Sequence, residues 1–262
     1  MDNFFPMQRR RLIAATLTGL AAPAFAYASA APDIPAAAPA APAADFGRAV
    51  IVHGWGAGPA DHWFGWLAGQ LQAAGVPTRI PALPGSQRPR LAQWLAALDE
   101  AAGAPDERTL LIAHSLGTIT TLHWLSQRRP ARIGGLVLAA GFDRRLPRLR
   151  TIGGWPLDPY IDAAQVDEPA IARMAAGRLH HIIGSDDGVV PPAQSRALAA
   201  RLGGHVHEVP GGGHLLASQG FARLPAAWAA CQAALQTWPP QPAGAPPQSA
   251  PAGPPQAAPK GA

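Results

Sequence analysis

Three residues of the types that together perform nucleophilic catalysis stand out in this 262-residue chain: Ser115, Asp187 and His214. A serine hydroxyl is a weak nucleophile until a histidine takes its proton. The histidine in turn needs a carboxylate that holds its ring and stabilises its charged form. Because the three residues are far apart in sequence, this chemistry is available only if the elements around each of them bring them together.

Ser115 lies in the stretch 110–118, where aliphatic residues lead into an Ala-His-Ser-x-Gly turn. The residues that follow, 118–127, favour a helix. A strand, a sharp turn and a helix with this spacing are typical of a nucleophile elbow, G-x-S-x-G. Gly117 meets the need for a small neighbour, since it has no Cβ, whereas Ala113 replaces the first glycine. The alternative is a buried strand followed by an ordinary serine-capped helix, so the motif needs the other catalytic parts beside it.

The catalytic carboxylate is expected in the loop after a late strand. The run 179–184 has strand character and is followed by Asp186 and Asp187. We predict that Asp187 is the acid rather than Asp186, because it begins a D-x-x-x-P segment three residues after Gly184. The alternative is that the aspartate only forms an Asx turn before a helix at 192–202.

The candidate general base, His214, follows the last predicted strand, 205–210. It comes directly after three glycines, 211–213, which give the loop the freedom to bring the imidazole over the elbow. The strand histidines are expected to be hydrogen-bonded structural residues, and two others flank the elbow and the first glycine loop. These are His180, His181, His205 and His207 in the strands, and His53 and His114 near the elbow.

A glycine-rich loop after the first predicted strand supplies a further catalytic part. Residues 48–52 form a short, β-branched run that leads into an H-G-x-G loop at 53–56. A loop of this kind in this place usually contributes half of an oxyanion hole. We predict that the main-chain N–H groups of Trp55 and Leu116 bind the oxyanion, each donor being worth about 10²–10³ in rate.

Strands and helices alternate through the middle of the chain, which predicts an α/β fold. We expect a doubly wound, mostly parallel sheet of about six strands, and the order Ser, Asp, His is that of the α/β-hydrolase fold. The irregular segment 143–177 is too short for a large cap domain and is predicted to be a small lid or pocket wall. Further helices are predicted at 61–71, with Asp61 as N-cap, and 91–102, and further strands at 76–80, 109–113 and 133–139.

Several short segments between residues 49 and 228 occur together in this chain. They are 52–54, 62–67, Leu83-Pro84, Trp94-Leu95, the elbow 114–117, the loop 186–191 and Gly213-His214. In these segments the sequence resembles the small serine hydrolases of the retinoblastoma-binding-protein/YdeN type. The resemblance implies a compact hydrolase without a large cap, with Ser115, Asp187 and His214 as its triad. It also implies the activity of an esterase or a peptidase-like acyl hydrolase, and Ala113 is a departure from the pattern.

The two ends of the chain differ in composition from its middle. Residues 1–30 combine arginines, a short apolar run and small-x-small sites, which predicts an export signal. The arginine pair before Leu12 is typical of a twin-arginine signal, whose partner is the twin-arginine export machinery. An uncleaved anchor is less consistent with Pro23, so we expect an exported, periplasmic protein with no membrane span after leader removal. The Ala/Pro-rich linker 31–45 and tail 237–262 are expected to be disordered, which leaves 46–236 as the hydrolase domain.

Composition argues against several other classes of protein. The net charge of +5 is carried partly by the leader and partly by scattered arginines, so no nucleic-acid partner is expected. Cys231 is the only cysteine, which excludes an intramolecular disulfide and a thiolate-ligated zinc. No histidines lie at helical ligand spacing, and we expect neither a metal nor a cofactor. The arginines 144, 145, 148 and 150 either attract an anionic substrate or belong to a solvated loop.

Taken together, the residues predict a serine hydrolase that cleaves an ester, thioester or amide bond through an acyl-enzyme intermediate. The expected partner is a small-molecule acyl substrate. One alternative is a catalytically idle protein that keeps the fold for binding. Another is an acyltransferase or a lidless lipase, which would prefer an alcohol acceptor or long acyl chains.

Overall fold

The computed structural model describes residues 47–236. The predicted leader at 1–30, linker at 31–45 and tail at 237–262 lie outside these residues. Within 47–236, no helix combines the length and the apolar character that crossing a bilayer requires.

The described residues form a sheet of six strands with helices on both faces. The strands of this sheet are β1 (Arg48–Val52), β2 (Thr78–Arg79), β3 (Thr109–His114), β4 (Gly135–Ala139), β7 (Leu179–Gly184) and β8 (His205–Val209); a separate hairpin consists of β5 (Thr151–Ile152) and β6 (Trp155–Pro156). The helices are α1 (Phe64–Ala73), α2 (Leu91–Ala102), α3 (Leu116–Arg128), α4 (Asp158–Ala163), α5 (Glu168–Met174), α6 (Pro192–Leu202) and α7 (Pro225–Gln236). The strand order is β2-β1-β3-β4-β7-β8, and every pairing is parallel. The predicted fold class is confirmed.

Residues of the central strands alternate between two apolar clusters, one on each face of the sheet. Val50 and Val52 of β1 pack in the cluster that includes α2, α3 and α6, whereas Ala49 and Ile51 pack in the cluster that includes α1 and α7. Successive side chains of a strand point to opposite faces. Because both faces are covered, strands β3, β4 and β7 are buried along their whole length, as parallel strands usually are. The carboxyl ends of these strands carry the loops of the site.

Some predicted boundaries were wrong for local reasons. Helix α1 begins at Phe64, and Asp61 does not cap it, because its Oδ2 accepts the N–H of Gly58 at 2.7 Å inside the preceding loop. Strand β2 has only two residues, since the flanking prolines, Pro77 and Pro81, have no N–H to donate to a neighbouring strand. Helices α2 and α6 have the predicted bounds.

The segment 143–177 folds into the hairpin β5–β6 and the short helices α4 and α5, as a small lid and not a cap domain. Three of its four clustered arginines pair with carboxylates of the same segment. Arg144 contacts Glu168 at 3.0 Å and Arg150 contacts Asp158 at 3.0 Å, and Arg145 pairs with Asp162. These three arginines therefore form exposed ion pairs within the lid, which neither sequence interpretation of the cluster included.

Candidate active site

Ser115 lies at a sharp turn between β3 and α3. Its backbone has φ 53° and ψ −124°, a conformation that costs a non-glycine residue about 1–3 kcal/mol and persists only where the surroundings hold it. Its N–H donates to the carbonyl of Ala139 at 2.9 Å, and the Thr118 hydroxyl donates to its carbonyl at 2.6 Å. The turn has the geometry expected of a nucleophile elbow.

Two glycines allow the loop after β1 to approach this turn. A Cβ on Gly117 would lie 2.6 Å from the carbonyl oxygens of Val52 and His53, and a Cβ on Gly54 would lie 2.9 Å from Cβ of Ser115. Carbon atoms do not approach backbone oxygens so closely, and a side chain at position 117 would push the loop away from the serine. The methyl group of Ala113, in contrast, is accommodated in the core cluster around α3.

The fold brings Ser115, His214 and Asp187 into one chain of hydrogen bonds. The His214 Nε2 atom is 2.9 Å from the Ser115 hydroxyl oxygen, and Nδ1 is 2.8 Å from Oδ2 of Asp187. All three side chains are buried, with at most 8% of any residue exposed. This geometry fits a histidine that donates from Nδ1 to the carboxylate and accepts the serine proton at Nε2.

Asp187 also forms the turn that was considered as the alternative to an acid role. Its Oδ1 accepts the main-chain N–H groups of Val189 at 2.8 Å and Val190 at 3.0 Å, which leaves Oδ2 for the histidine. The two interpretations are therefore compatible. The turn fixes the carboxylate so that its second oxygen points at the imidazole.

Two further side chains hold the loop that carries His214. Asp186 Oδ1 accepts the N–H of Gly213 at 2.8 Å, so the aspartate not predicted as the acid supports the backbone of the loop that carries His214. The amide oxygen of Gln219 accepts the N–H groups of His214 at 2.8 Å and Leu216 at 3.2 Å. Gln219 was missed by sequence reasoning, and no motif marks it, because its role depends on how the loop folds back.

His114 supports His214 from the other side. Its Nε2 is 2.9 Å from the main-chain carbonyl oxygen of His214 and must donate to it. Its Nδ1 is buried with no hydrogen-bond partner among the described residues. Burial lowers the pKa of His114 well below 6.5, and the nearby His214 lowers it further. A neutral His114 therefore donates a hydrogen bond to the main chain of His214 and adds no positive charge beside its ring.

His53 fixes the glycine-rich loop beside the serine. Its Nε2 accepts the N–H of Leu83 at 3.1 Å, so Nδ1 carries the proton and donates to the carbonyl of Gly54 at 2.9 Å. Burial lowers the pKa of His53, which keeps the ring in this neutral tautomer. Two imidazoles next to the serine thus have positioning contacts only.

The predicted oxyanion donors, Trp55 and Leu116, border the same space as Ser115. Leu116 is the first residue of α3, and the first N–H groups of a helix have no acceptor within it. The Trp55 indole N–H donates to Gln87 at 3.0 Å, which anchors this loop at its outer end. That the two main-chain N–H groups bind an oxyanion stays a prediction. No group of three or more potential metal-ligating side chains is clustered within 47–236.

Comparison with known proteins places this geometry in a family. The family model described as serine hydrolase matches residues 49–233. The YdeN protein of Bacillus subtilis (strain 168) is 36% identical over 176 residues, which cover 67% of this chain and 89% of YdeN. The crystal structure of the B. subtilis ydeN gene product superposes with a TM-score of 0.67 at 33% identity, over 72% of this chain and 99% of that one.

A more distant structure is similar in fold alone. Est1E from Butyrivibrio proteoclasticus, solved with ferulic acid bound, gives a TM-score of 0.51 at 18% identity over 64% of this chain and 81% of its own. The family match covers the sheet from Ala49 onwards and includes Ser115, Asp187 and His214. The chain belongs to the serine hydrolase family and is a hydrolytic enzyme.

Proposed function

We propose that this enzyme cleaves an ester, thioester or amide bond through a Ser115, His214 and Asp187 triad and an acyl-enzyme intermediate. The observation that carries the proposal is the unbroken chain of hydrogen bonds from Ser115 through His214 to Asp187, at 2.9 and 2.8 Å. A buried serine at a strained turn, paired with a histidine and a carboxylate, has the parts that acyl transfer needs.

In the first half of the reaction, the Ser115 hydroxyl oxygen attacks the substrate carbonyl carbon while its proton passes to Nε2 of His214. Asp187 stabilises the imidazolium and holds the ring in the tautomer that can accept the proton. The N–H groups of Trp55 and Leu116 stabilise the negative charge on the carbonyl oxygen. His214 then gives its proton to the leaving group as that bond breaks.

The second half repeats these steps with water. His214 removes a proton from water as the water oxygen attacks the acyl-serine, and it returns the proton to the Ser115 oxygen as the acid leaves. No metal ion or redox step is needed for this sequence, because proton transfer and charge stabilisation suffice for acyl transfer.

Labelling with a fluorophosphonate probe tests the proposal directly. We expect the purified wild-type protein to be labelled covalently and the Ser115→Ala variant to remain unlabelled, because the probe reacts only with an activated serine. A folded wild-type protein that takes no label would contradict the proposal and favour an idle binding protein. Turnover that prefers an alcohol acceptor over water would favour an acyltransferase.

We also propose that the enzyme is exported through the twin-arginine pathway to the periplasm. The support is the arginine-rich start and short apolar run of residues 1–30. Changing both Arg10 and Arg11 to lysine should leave the full-length protein in the cytoplasmic fraction. A variant of the leader that is exported as well as wild type would contradict this route.

A further inference from the structure

The loop that carries His214 is held on one side by two residues that lie directly before α1. The indole N–H of Trp63 donates to the main-chain carbonyl of Leu215 at 3.1 Å. Beside this contact, Nδ1 of His62 accepts the main-chain N–H of Ala217 at 3.2 Å. The two hydrogen bonds join residues that are 152 and 155 positions apart in the sequence. They hold the chain from the residue directly after the candidate base.

The main chain at Leu215 needs such support. Leu215 has φ 59°, in the left-handed region that a residue with a Cβ rarely adopts. A conformation of this kind persists only where the surrounding structure holds it. His62 has φ 54°, so each of the two joined segments contains a strained residue. The Leu215 side chain is fully buried in the same apolar cluster as the Trp63 ring. Packing and hydrogen bonds therefore fix the chain direction directly after His214 together.

Trp63 also packs beside the histidine that contacts the main chain of His214. The Trp63 ring is fully buried and lies edge-on to the ring of His114, with centroids 6.0 Å apart and an interplanar angle of 86°. Nε2 of His114 donates to the main-chain carbonyl of His214 at 2.9 Å. Trp63 is thus next to both supports of the candidate base, the residue that follows it and the imidazole that bonds to its carbonyl.

The place of the His214 imidazole depends on this main chain. Its Nε2 lies 2.9 Å from the Ser115 hydroxyl oxygen and its Nδ1 lies 2.8 Å from Oδ2 of Asp187. A small shift of the backbone would lengthen at least one of these hydrogen bonds. Without the contacts from α1, we expect Leu215 to relax towards negative φ and to move His214 with it. A displacement of about 1 Å can cost on the order of 10² in rate, so the effect falls on the chemical step.

We propose that Trp63 and His62 are positioning residues for His214. The indole N–H and the imidazole Nδ1 hold residues 215–217, and the catalytic imidazole thereby keeps both of its hydrogen bonds. This inference rests on the proposed acyl-transfer function, in which His214 takes the serine proton and then protonates the leaving group. It extends that function to two residues at the opposite end of the domain in sequence.

Trp63→Phe tests the indole N–H. Phenylalanine keeps an aromatic ring in the apolar cluster but has no donor for the Leu215 carbonyl. We expect kcat with p-nitrophenyl acetate to fall about tenfold and KM to change less than about twofold, because the variant misplaces the base without removing a substrate contact. The second-order rate of Ser115 labelling by a fluorophosphonate should fall by a similar factor.

Trp124→Phe is the matched control. Trp124 is also fully buried, and its indole N–H also donates a hydrogen bond, to Oδ1 of Asp99 at 2.7 Å. It lies towards the far end of α3 from Ser115. Its substitution should lower the free energy of unfolding and leave kcat within about twofold of the wild type, because distant sites act independently. Urea unfolding of both variants identifies conditions in which each is folded, and all rates are compared there.

A comparison of two esters separates the positioning of His214 from a general structural effect. The p-nitrophenolate ion leaves without protonation, whereas phenolate is more basic and depends more on the proton from His214. The loss in kcat/KM for Trp63→Phe should therefore be at least about threefold larger with phenyl acetate than with p-nitrophenyl acetate. Partial unfolding would lower both rates by the same factor.

The imidazole half is tested with His62→Ala and His62→Asn. Both change a half-buried position and leave the Trp63 ring in place. Alanine has no acceptor for the Ala217 N–H, whereas the asparagine side-chain oxygen can accept it, and asparagine tolerates positive φ better than most residues. We expect His62→Ala to lower kcat about three- to tenfold and His62→Asn to recover most of the loss.

The outcomes separate failure of this inference from failure of the proposed function. Wild-type protein that is labelled at Ser115, with a Trp63→Phe variant that retains kcat as well as Trp124→Phe does, would overturn the role of Trp63. Equal losses with the two esters would do the same. His62 borders the open groove beside Ser115, so a change in KM alone, or no recovery with asparagine, would assign it to binding or packing. A folded wild-type protein that takes no label would remove the acyl-transfer function itself.

Discussion

The histidines of this enzyme form two groups that put the same side chain to different use. Around Ser115, the rings of His53, His114 and His214 bond to main-chain atoms, to a carboxylate or to the serine. On β7 and β8, imidazole rings contact other imidazole rings. His180 Nδ1 is 3.0 Å from His207 Nε2, and the His180 ring stacks on that of His205 with centroids 5.0 Å apart.

The difference shows that a partner, and not the local number of histidines, decides what an imidazole can do. His214 alone among the described histidines bridges a carboxylate and the serine hydroxyl. In the β7–β8 group, burial lowers the pKa of His180 to about 4, and the neighbouring histidines lower it too. A ring that resists protonation in this way is a poor base but a good packing and hydrogen-bonding group.

The largest expected effect on turnover distinguishes the histidines around Ser115 from those on β7 and β8. His214→Ala, or Ser115→Ala, should lower turnover by on the order of 10⁶, by analogy with other triads. His205→Ala, in the exposed part of the β7–β8 group, should leave turnover near that of the wild type. Steady-state hydrolysis of p-nitrophenyl acetate measures both. A loss below tenfold for either of the first two variants would contradict the roles given to the group around Ser115.

The next prediction tests whether the carboxylate makes His214 different. Asp187→Asn should lower kcat by about 10⁴, because the amide favours the wrong tautomer of the base. Asp186→Asn keeps a side-chain oxygen that can accept the Gly213 N–H and should cost less than tenfold. The two variants differ by one position in the chain and carry the same chemical change, so each controls for the other. The reverse order of effects would move the acid to Asp186.

A smaller effect is expected from His114, which is hydrogen-bonded to the main chain of His214, the proposed base. His114→Phe removes the hydrogen bond to the His214 carbonyl, and kcat should fall about tenfold with little change in KM, since a misplaced base affects the chemical step. His114→Gln can place an amide N–H near the same carbonyl and should recover most of the loss. A rise in KM alone, or no rescue by glutamine, would mean that His114 acts on binding or only on packing.

The smallest effect on turnover is expected in the β7–β8 region, where substitutions should change stability instead. Burial lowers the pKa of His180 and His181 to about 4 in the folded protein, whereas the unfolded chain titrates near pH 6.5. Between these values the unfolded state binds more protons than the folded state. The free energy of unfolding is therefore highest above about pH 7 and decreases as the pH drops towards 4. Each histidine contributes on the order of 3 kcal/mol to this decrease in the free energy of unfolding.

Urea unfolding at intervals from pH 7.5 to 4.5 measures this dependence. The variants His180→Gln and His181→Gln should each flatten the curve, because a group that does not titrate contributes no slope. A free energy of unfolding in the wild type that does not change over this range would contradict the prediction.

Local patterns predicted the parts of the fold that depend on neighbouring residues. The aliphatic run before Ser115, the need for Gly117 and the bounds of α2 and α6 follow from side-chain periodicity and glycine geometry. The same patterns placed Asp187 after β7 and His214 after β8, at the sheet edge where they meet.

Contacts between distant loops could not be predicted in the same way. Gln219 and Asp186 act on the His214 loop only after the chain has folded back, and nothing in their sequence settings marks them. Asp61 was assigned to a helix cap from its position, but the N–H of Gly58 lies closer in the folded loop and takes its oxygen. The pairing of lid arginines with Asp158, Asp162 and Glu168 likewise depends on tertiary structure.

Helix α3 has a consequence for how the enzyme loses activity. Its residues 116–125 are all buried, between the sheet and the neighbouring helices, and Ser115 keeps its strained turn only while this helix stays packed. Segments of this kind exchange their amide hydrogens only on global opening, whereas exposed loops open at much lower free energy. Ser115, the proposed nucleophile, therefore belongs to the last cooperative unit to open, and hydrolytic activity should report the folded fraction of the whole domain.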